Sequence, residues 1–349
     1  VHMFDAMSVE KIRQIEIIRG PGSALYGANA FVAVVNIITK ETDDVDGMKI
    51  GIAGGNFNTK VVSLLGGKSF KDDKDKDFKV VGTINYLDTD GGDVTIEADS
   101  LAGMPYSAAP GKADMRLEKK EAFLKVSYGD LTFRGHFLQN DFGVYIGLAN
   151  ALSDENSAVY TDYWSELTYA KSLTDTLSAS FRAYIDHWEQ DSDLELLPEG
   201  FPGYPDGAIG RPSQKDRTLG AELQFDLDLS KNNHLITGFN FDYVKQYSMN
   251  YIANYNPFTM EPFGSLQDVT SWANYNRNVT RKIWAIYLQD EWAVKENLTL
   301  TAGVRYDHYD DFGGTTNPRV GLVWNFLRNA DLKLLYGQAF RAPNFVELY

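Results

Sequence analysis

At 349 residues the chain exceeds one ordinary soluble core, so several domains or a single large β architecture are expected. A formal charge of -15 excludes nucleic acid as a partner, because phosphates would be repelled, and the absence of cysteine excludes disulfide frameworks and thiolate metal sites. Aromatic residues make up 13% of a chain whose mean hydropathy is -0.31, which suits sheets with one apolar and one polar face. No window approaches the roughly 18 unbroken apolar residues of a membrane helix, so a membrane span here would be built from strands.

Residues 1–42 differ in pattern from the remainder of the chain. Ser8 is placed to cap a short helix through Gln14. Ile15 to Ile18 form an apolar run that ends at Arg19-Gly20-Pro21-Gly22-Ser23, a turn signal that neither helix nor strand readily continues through. After Ala24-Leu25-Tyr26-Gly27, the stretch Phe31 to Ile38 is β-rich and apolar on both faces. Such a strand is expected to need cover on both sides, and so an enclosing structure.

From Gly47 onward the pattern has period two. In Ala221 to Leu229 every second residue is apolar and the intervening ones are Glu222, Gln224, Asp226 and Asp228, which places the carboxylates on one face. The alternation recurs in Phe78–Tyr86, Leu177–Ile185, Leu298–Asp307 and Val320–Phe326. About thirteen such strands are counted, most near the roughly 9 to 11 residues that cross a bilayer at a tilt. Short connections lie near 128–130, 171–175, 230–233, 295–297 and 328–331, whereas long ones fill roughly 91–118, 141–157, 189–214 and 247–278. The loop at 54–59 is short, and the charged turn at 68–77 is long. Tight turns on one rim and long loops on the other describe a membrane barrel better than a soluble β-sandwich, whose loop lengths need not segregate by parity. Trp164, Trp284 and Trp292 fit an interfacial girdle.

Val9 through Gly27, with Arg19-Gly20-Pro21-Gly22-Ser23-Ala24-Leu25-Tyr26-Gly27 at its heart and Val35 to Lys40 after it, resembles the closing part of the plug domain of TonB-dependent outer-membrane receptors. Asn317–Leu322 and Tyr336–Tyr349 are similar to the middle of that family's barrel, as are Tyr287–Trp292 and Gly303–Asp307. The resemblance implies an all-β fold: an antiparallel transmembrane β-barrel of about 22 strands around an internal plug. Residues 1–42 would then be the C-terminal part of the plug domain and 47–349 the N-terminal part of the barrel. With only about thirteen strands, the chain is expected to be incomplete at both ends, since an open edge in lipid leaves backbone groups unpaired. Val1 to Glu10 has no signal-peptide pattern, so a longer exported precursor is expected. The family's setting is the bacterial outer membrane. Its partners would be a TonB-type energy-coupling protein in the periplasm, outer-membrane lipid and a small-molecule ligand, with an iron chelate expected. A ferric siderophore comes first, with haem or cobalamin as alternatives within the family and a passive porin or adhesion barrel, which would have no central plug, as the alternative outside it.

Candidate site residues come from the motif and from the loops. Gly20 and Gly27 permit turns that a Cβ resists, Pro21 stops strand pairing, and Ser23 and Tyr26 complete the plug motif. Arg19 inside a barrel needs a carboxylate partner, for which Glu291 is the first candidate as a latch. In the loops Tyr145, Tyr204, Tyr247, Tyr251, Tyr255, Phe258, Phe263, Trp272 and Tyr275 offer surfaces for a planar or apolar ligand, or pack on one another; Arg211 and Arg277 would attract an anionic chelate. His136, His187, His234 and His308 lack the paired spacing of a zinc hydrolase, so neither an enzyme nor a bound metal or cofactor is expected. The acidic run 72–77 lacks the Gly and Glu of a calcium loop. Phe340-Arg341-Ala342-Pro343 resembles a box of haem receptors that other family members share.

Overall fold

The computed structural model describes residues 7–349 apart from 21, 29, 31, 46, 73–75, 148, 154, 274 and 275, and at Ser23 and Tyr26 it describes the backbone alone. Pro21 and Tyr275 therefore lie outside the described residues, as do the Ser23 and Tyr26 side chains.

The amino-terminal segment forms an antiparallel ribbon of β1 (Ile12–Arg19) and β2 (Ala33–Thr39), with Arg19 opposite Ala33. No helix covers 8–14: Ile12, Ile15, Ile17 and Ile18 favour extended backbone, and pairing with β2 overrides the cap at Ser8. Ile15, Ile17 and Val35 remain exposed, so the expected cover on both faces of the second strand is not met among the described residues. Between the strands lies a single helical turn, α1 (Ser23–Tyr26).

Next in order come β3 (Gly47–Gly54), β4 (Lys60–Lys71), β5 (Asp77–Thr89), the short pair β6 (Thr95–Ile96) and β7 (Gly111–Lys112), β8 (Leu117–Tyr128), β9 (Leu131–Gly143) and β10 (Ser157–Ser172). They are followed by β11 (Leu177–Leu197), β12 (Ala208–Ser230), β13 (Asn233–Tyr255), β14 (Pro262–Asp268), α2 (Thr270–Ala273), β15 (Val279–Lys295), β16 (Leu298–Tyr309), β17 (Gly313–Leu327), β18 (Ala330–Gly337) and α3 (Phe345–Leu348). All but β6 and β7 of these strands join one 14-stranded antiparallel sheet, which runs from β3 to β18 in sequence order with β14 off the path beside β13. The path thus holds the thirteen spanning strands expected from the alternation, and its two edges are not paired with each other.

Short connections at 72–76, 129–130, 173–176, 231–232, 296–297 and 328–329 share one rim. At the other rim, much of 189–214 and about half of 247–278 is strand rather than loop: β11 continues to Leu197, β12 starts at Ala208 and β13 reaches Tyr255. These strands exceed the roughly 9 to 11 residues a bilayer needs, so their upper ends project beyond it. There no face meets lipid, and residues such as Ala208, Ala253 and Tyr255 pack beneath the loops instead, so the period-two signal lapses.

The sheet has one face that receives the amino-terminal segment and one that does not. Glu121, Lys125, His136 and Arg305, on β8, β9 and β16, all contact that segment, which defines the inner face. On the outer face stand Ile50, Ile84, Leu124, Phe239, Ile286 and Leu334, all exposed and apolar, as lipid contact requires. Phe70, Phe78, Tyr128, Trp292, Trp324 and Phe326 cluster beside the short connections as an interfacial belt. Trp164 does not belong to it, because it faces inward against His136 with ring centroids 5.8 Å apart.

Candidate ligand site

A cavity of about 1060 Å³ opens between the upper inner wall and the amino-terminal segment. Its polar wall is a row of side chains set side by side by strand register: Tyr160 opposite Gln190, and Gln190 opposite Gln214. Gln246 on β13 continues the row and exchanges amide hydrogen bonds with Asn276, donating at 2.7 Å and accepting at 3.0 Å. Gln246 also donates to the Arg277 carbonyl at 2.8 Å, which pins the descending loop to the wall. Phe142, Ala158, Leu194, Tyr251, Phe258 and Phe345 supply the apolar part.

Arg281 is the cavity's one charged lining residue among those described. Its Nε donates to Asp311 at 2.7 Å and its Nη1 to the Pro343 carbonyl at 3.0 Å. The guanidinium lies over Phe345 at 4.6 Å and over Phe312 at 5.1 Å. Its Nη2 is buried and has no hydrogen-bond partner among the described residues.

Ala28, just after α1, forms the floor of the cavity. Arg305 donates to the Leu25 carbonyl at 3.4 Å and to Asp307 at 2.8 Å. Gly27 has φ +75°, and a Cβ there would sit 3.2 Å from Arg305 Nη2. Glycine thus serves both the left-handed turn and the close approach of the guanidinium. Below the floor, a charged cavity of about 620 Å³ is lined by Arg182, Glu222, Asp242, Arg305 and Asp307. A ladder of bonds crosses the strands here: Arg134 to Glu166 at 2.6 Å, Arg182 to Glu166 at 3.2 Å and to Glu222 at 2.7 Å, and Tyr287 to Glu222 at 2.9 Å.

The amino-terminal segment is held a second time by Lys11. Its Nζ lies 2.5 Å from Glu121 Oε1 and 2.7 Å from His136 Nε2, while Glu121 Oε2 accepts from the Ser8 amide at 2.8 Å. Burial pushes the Lys11 pKa below its ordinary value against the opposing pull of Glu121. Glu41 adds an ion pair to Lys125.

The structure redistributes the residues singled out in the sequence. Arg19 is exposed, Glu291 is exposed on the inner face of β15, and the ion pairs among the described residues do not join them. Tyr204 and Tyr255, 5% and 1% exposed, pack with Ala208, Ala253 and Val269 beneath the loops instead of facing the cavity. Tyr251 does line the cavity and bonds the Tyr255 hydroxyl at 2.6 Å. Trp272 sits outside on Phe258 and Phe263, and Tyr145 is exposed. Arg211 is taken by Asp193 at 2.9 Å, and Arg277 is exposed. Arg341 of the Phe340–Pro343 box pairs with Glu347 at 2.8 Å.

The family profile described as TonB dependent receptor-like, beta-barrel matches residues 72–349. The chain belongs to the TonB-dependent receptor family. It is 22% identical to the vitamin B12 transporter BtuB of Vibrio cholerae over 99% of this chain and 49% of that protein. It is 24% identical to the ferric enterobactin receptor PirA of Pseudomonas aeruginosa over 97% of this chain and 47% of that protein. The fold superposes on the FrpB iron transporter of Neisseria meningitidis with a TM-score of 0.66 at 16% identity, covering 97% of this chain and 54% of that one. The chain therefore spans about half the length of the relatives it matches. As a member of this receptor family, it is an integral component of the outer membrane.

Within this TonB-dependent receptor chain the residues that sequence reasoning missed are Lys11, Glu121, Arg305, Arg281 and the amide row. Glu121 and Lys125 were readable as charges on one face of a period-two strand, yet nothing local distinguished a buried partner from a wet one. The amides at 190 and 214 fell in a stretch read as loop.

Proposed function

We propose that this chain serves active, TonB-dependent import of a scarce small molecule across the outer membrane, with a ferric siderophore as the first candidate. In this reading residues 1–42 are the end of the plug, residues 47–349 the first part of the barrel, and a periplasmic TonB-type protein pulls on the plug. The observation that carries it is Ala28, on the amino-terminal segment, as the floor of the 1060 Å³ cavity. A ligand seated there rests on the element that must move for it to pass. The volume suits a chelate-sized molecule, lying just above the roughly 300–1,000 Å³ of small-molecule pockets. Relatives named as a ferric enterobactin receptor and as a vitamin B12 transporter support the substrate range, and keep cobalamin as an alternative.

The Lys11–Glu121 and Arg305–Leu25 contacts act in this reading as the two grips that hold the segment at rest. A strain carrying the full-length gene, grown on defined ferric chelates or on cobalamin as the limiting nutrient, should depend on that gene and on a working TonB system. Growth that survives deletion of either one would rule the import reading out.

A further inference from the structure

We infer that the ligand seated on this wall is electrically neutral, rich in carbonyl- or amide-type oxygen and partly apolar, rather than a polyanionic chelate. The inference deepens the import reading above and rests on it. Among the described residues, the cavity lining contains no Asp, Glu, Lys or His, and its single cation is Arg281. That charge is already answered by Asp311, by the Pro343 carbonyl and by the aromatic faces of Tyr309, Phe312 and Phe345.

Against this wall a polyanion would surrender its hydration and find no unpaired cation among the described lining residues in exchange. Beneath the floor it would meet two guanidinium groups against three carboxyl groups, Arg182 and Arg305 against Glu222, Asp242 and Asp307. The chain's net charge of -15 adds a repulsive field at longer range. Arg211, expected from the sequence to attract an anion, is held by Asp193 outside the lining.

What the wall does offer is hydrogen bonding without net charge. Gln190 and Gln214, which donate to Ser192 and Asp216, line the wall with neutral carboxamides beside the mutually bonded Gln246 and Asn276, and the buried Arg281 Nη2 is a donor without a protein acceptor among the described residues. Phe142, Tyr160, Tyr251 and Phe345 give the flat apolar area against which a neutral macrocycle or a hydroxamate shell packs. A ferric trihydroxamate, whose three monoanionic groups cancel the ferric charge, has this chemistry, and so does a corrinoid fringed with amides. A ferric tris-catecholate, which is trianionic, does not.

The test uses the full-length receptor purified in detergent and equilibrium dialysis with three probes: a neutral ferric trihydroxamate, cyanocobalamin and a trianionic ferric tris-catecholate. At least one neutral probe should bind about 100-fold more tightly than the trianion, with little dependence on salt. Gln190→Lys should tighten the trianion by about tenfold and weaken the bound neutral probe, because it adds a cation and removes a carboxamide from the wall. Equal or tighter binding of the trianion by the unaltered receptor, or binding of none of the three, would overturn the inference. Uptake by cells with and without a working TonB system separates the two readings. TonB-dependent uptake of the trianion leaves import standing and ends the neutral-ligand inference; tight neutral binding without TonB-dependent uptake does the reverse.

Discussion

Lys11 and Glu121, separated by 110 positions in the chain, meet at 2.5 Å with 3% and 2% of their surfaces exposed. A buried pair of this kind is weak as a source of net stability, yet breaking it from one side strands a charge away from water. Glu121→Gln should therefore weaken the hold on the amino-terminal segment by about 3–5 kcal/mol, while Lys11→Met combined with Glu121→Leu recovers only part of that loss, because the Ser8 amide loses its acceptor. Hydrogen exchange in the full-length protein reads this out as lost protection confined to residues 8–20. Unchanged protection in the single variant would show that the pair does not hold the segment.

How much of this was legible in the sequence depended on whether the signal was local. Strand number was, because a wall with lipid on one side and water on the other forces period two, as in Ala221 to Leu229, where Glu222 turns inward to Arg182. The upper ends of β11 and β12 were not, because residues such as Gln190 and Gln214 stand above the bilayer where neither face need be apolar. Lys11 and Glu121 were invisible for another reason: their meeting depends on how the ribbon seats against β8, and nothing within a few positions of either encodes that. The Arg19–Glu291 pairing failed on the same ground, since Arg19 opposes Ala33 in the ribbon and its side chain points to solvent. The loop tyrosines split because residue type alone does not separate a tyrosine that packs, such as Tyr255, from one that lines a cavity, such as Tyr251.

Gly27 supports the second grip. Gly27→Ala must place a Cβ at φ +75° and 3.2 Å from Arg305 Nη2, which costs about 1–2 kcal/mol in backbone strain before the guanidinium moves. The expected outcome is faster exchange at residues 22–28 with the Lys11 region unaffected. Protection equal to that of the unaltered chain would mean that this approach carries no constraint.

Asp99 organises the long loop between β5 and β8. Its carboxylate is partly buried, which raises its pKa, but hydrogen bonds from the Leu152 amide at 2.8 Å and from Ser107 and the Leu101 amide at 2.9 Å outweigh that, and the net direction is down. A carboxyl held lower in the folded loop than in the unfolded chain stabilises the loop above the unfolded pKa of about 3.9, and that stabilisation is lost as pH falls through the folded value. Proteolytic nicking between 99 and 107 should therefore rise below about pH 4, and Asp99→Asn should show the raised rate already at neutral pH. A nicking rate that is flat from pH 7 to about pH 3 would contradict this role.

The two faces of the wall give the most direct check on the barrel. Ile84 stands exposed near the middle of β5 on the outer face, while Thr301 on β16 belongs to the face that carries Arg305. If the outer face lies in hydrocarbon, Ile84→Lys must bury an ammonium in lipid at a cost of about 2–4 kcal/mol, whereas Thr301→Lys meets lumen water and costs under about 1 kcal/mol. Folding of the full-length protein into phospholipid vesicles, followed by denaturant titration, measures both. In a soluble β-sandwich the ranking would invert, because an exposed Ile84 would already be in water and a lysine there would cost nothing. Equal penalties at the two positions would place both faces in the same medium, and a barrel wall does not allow that.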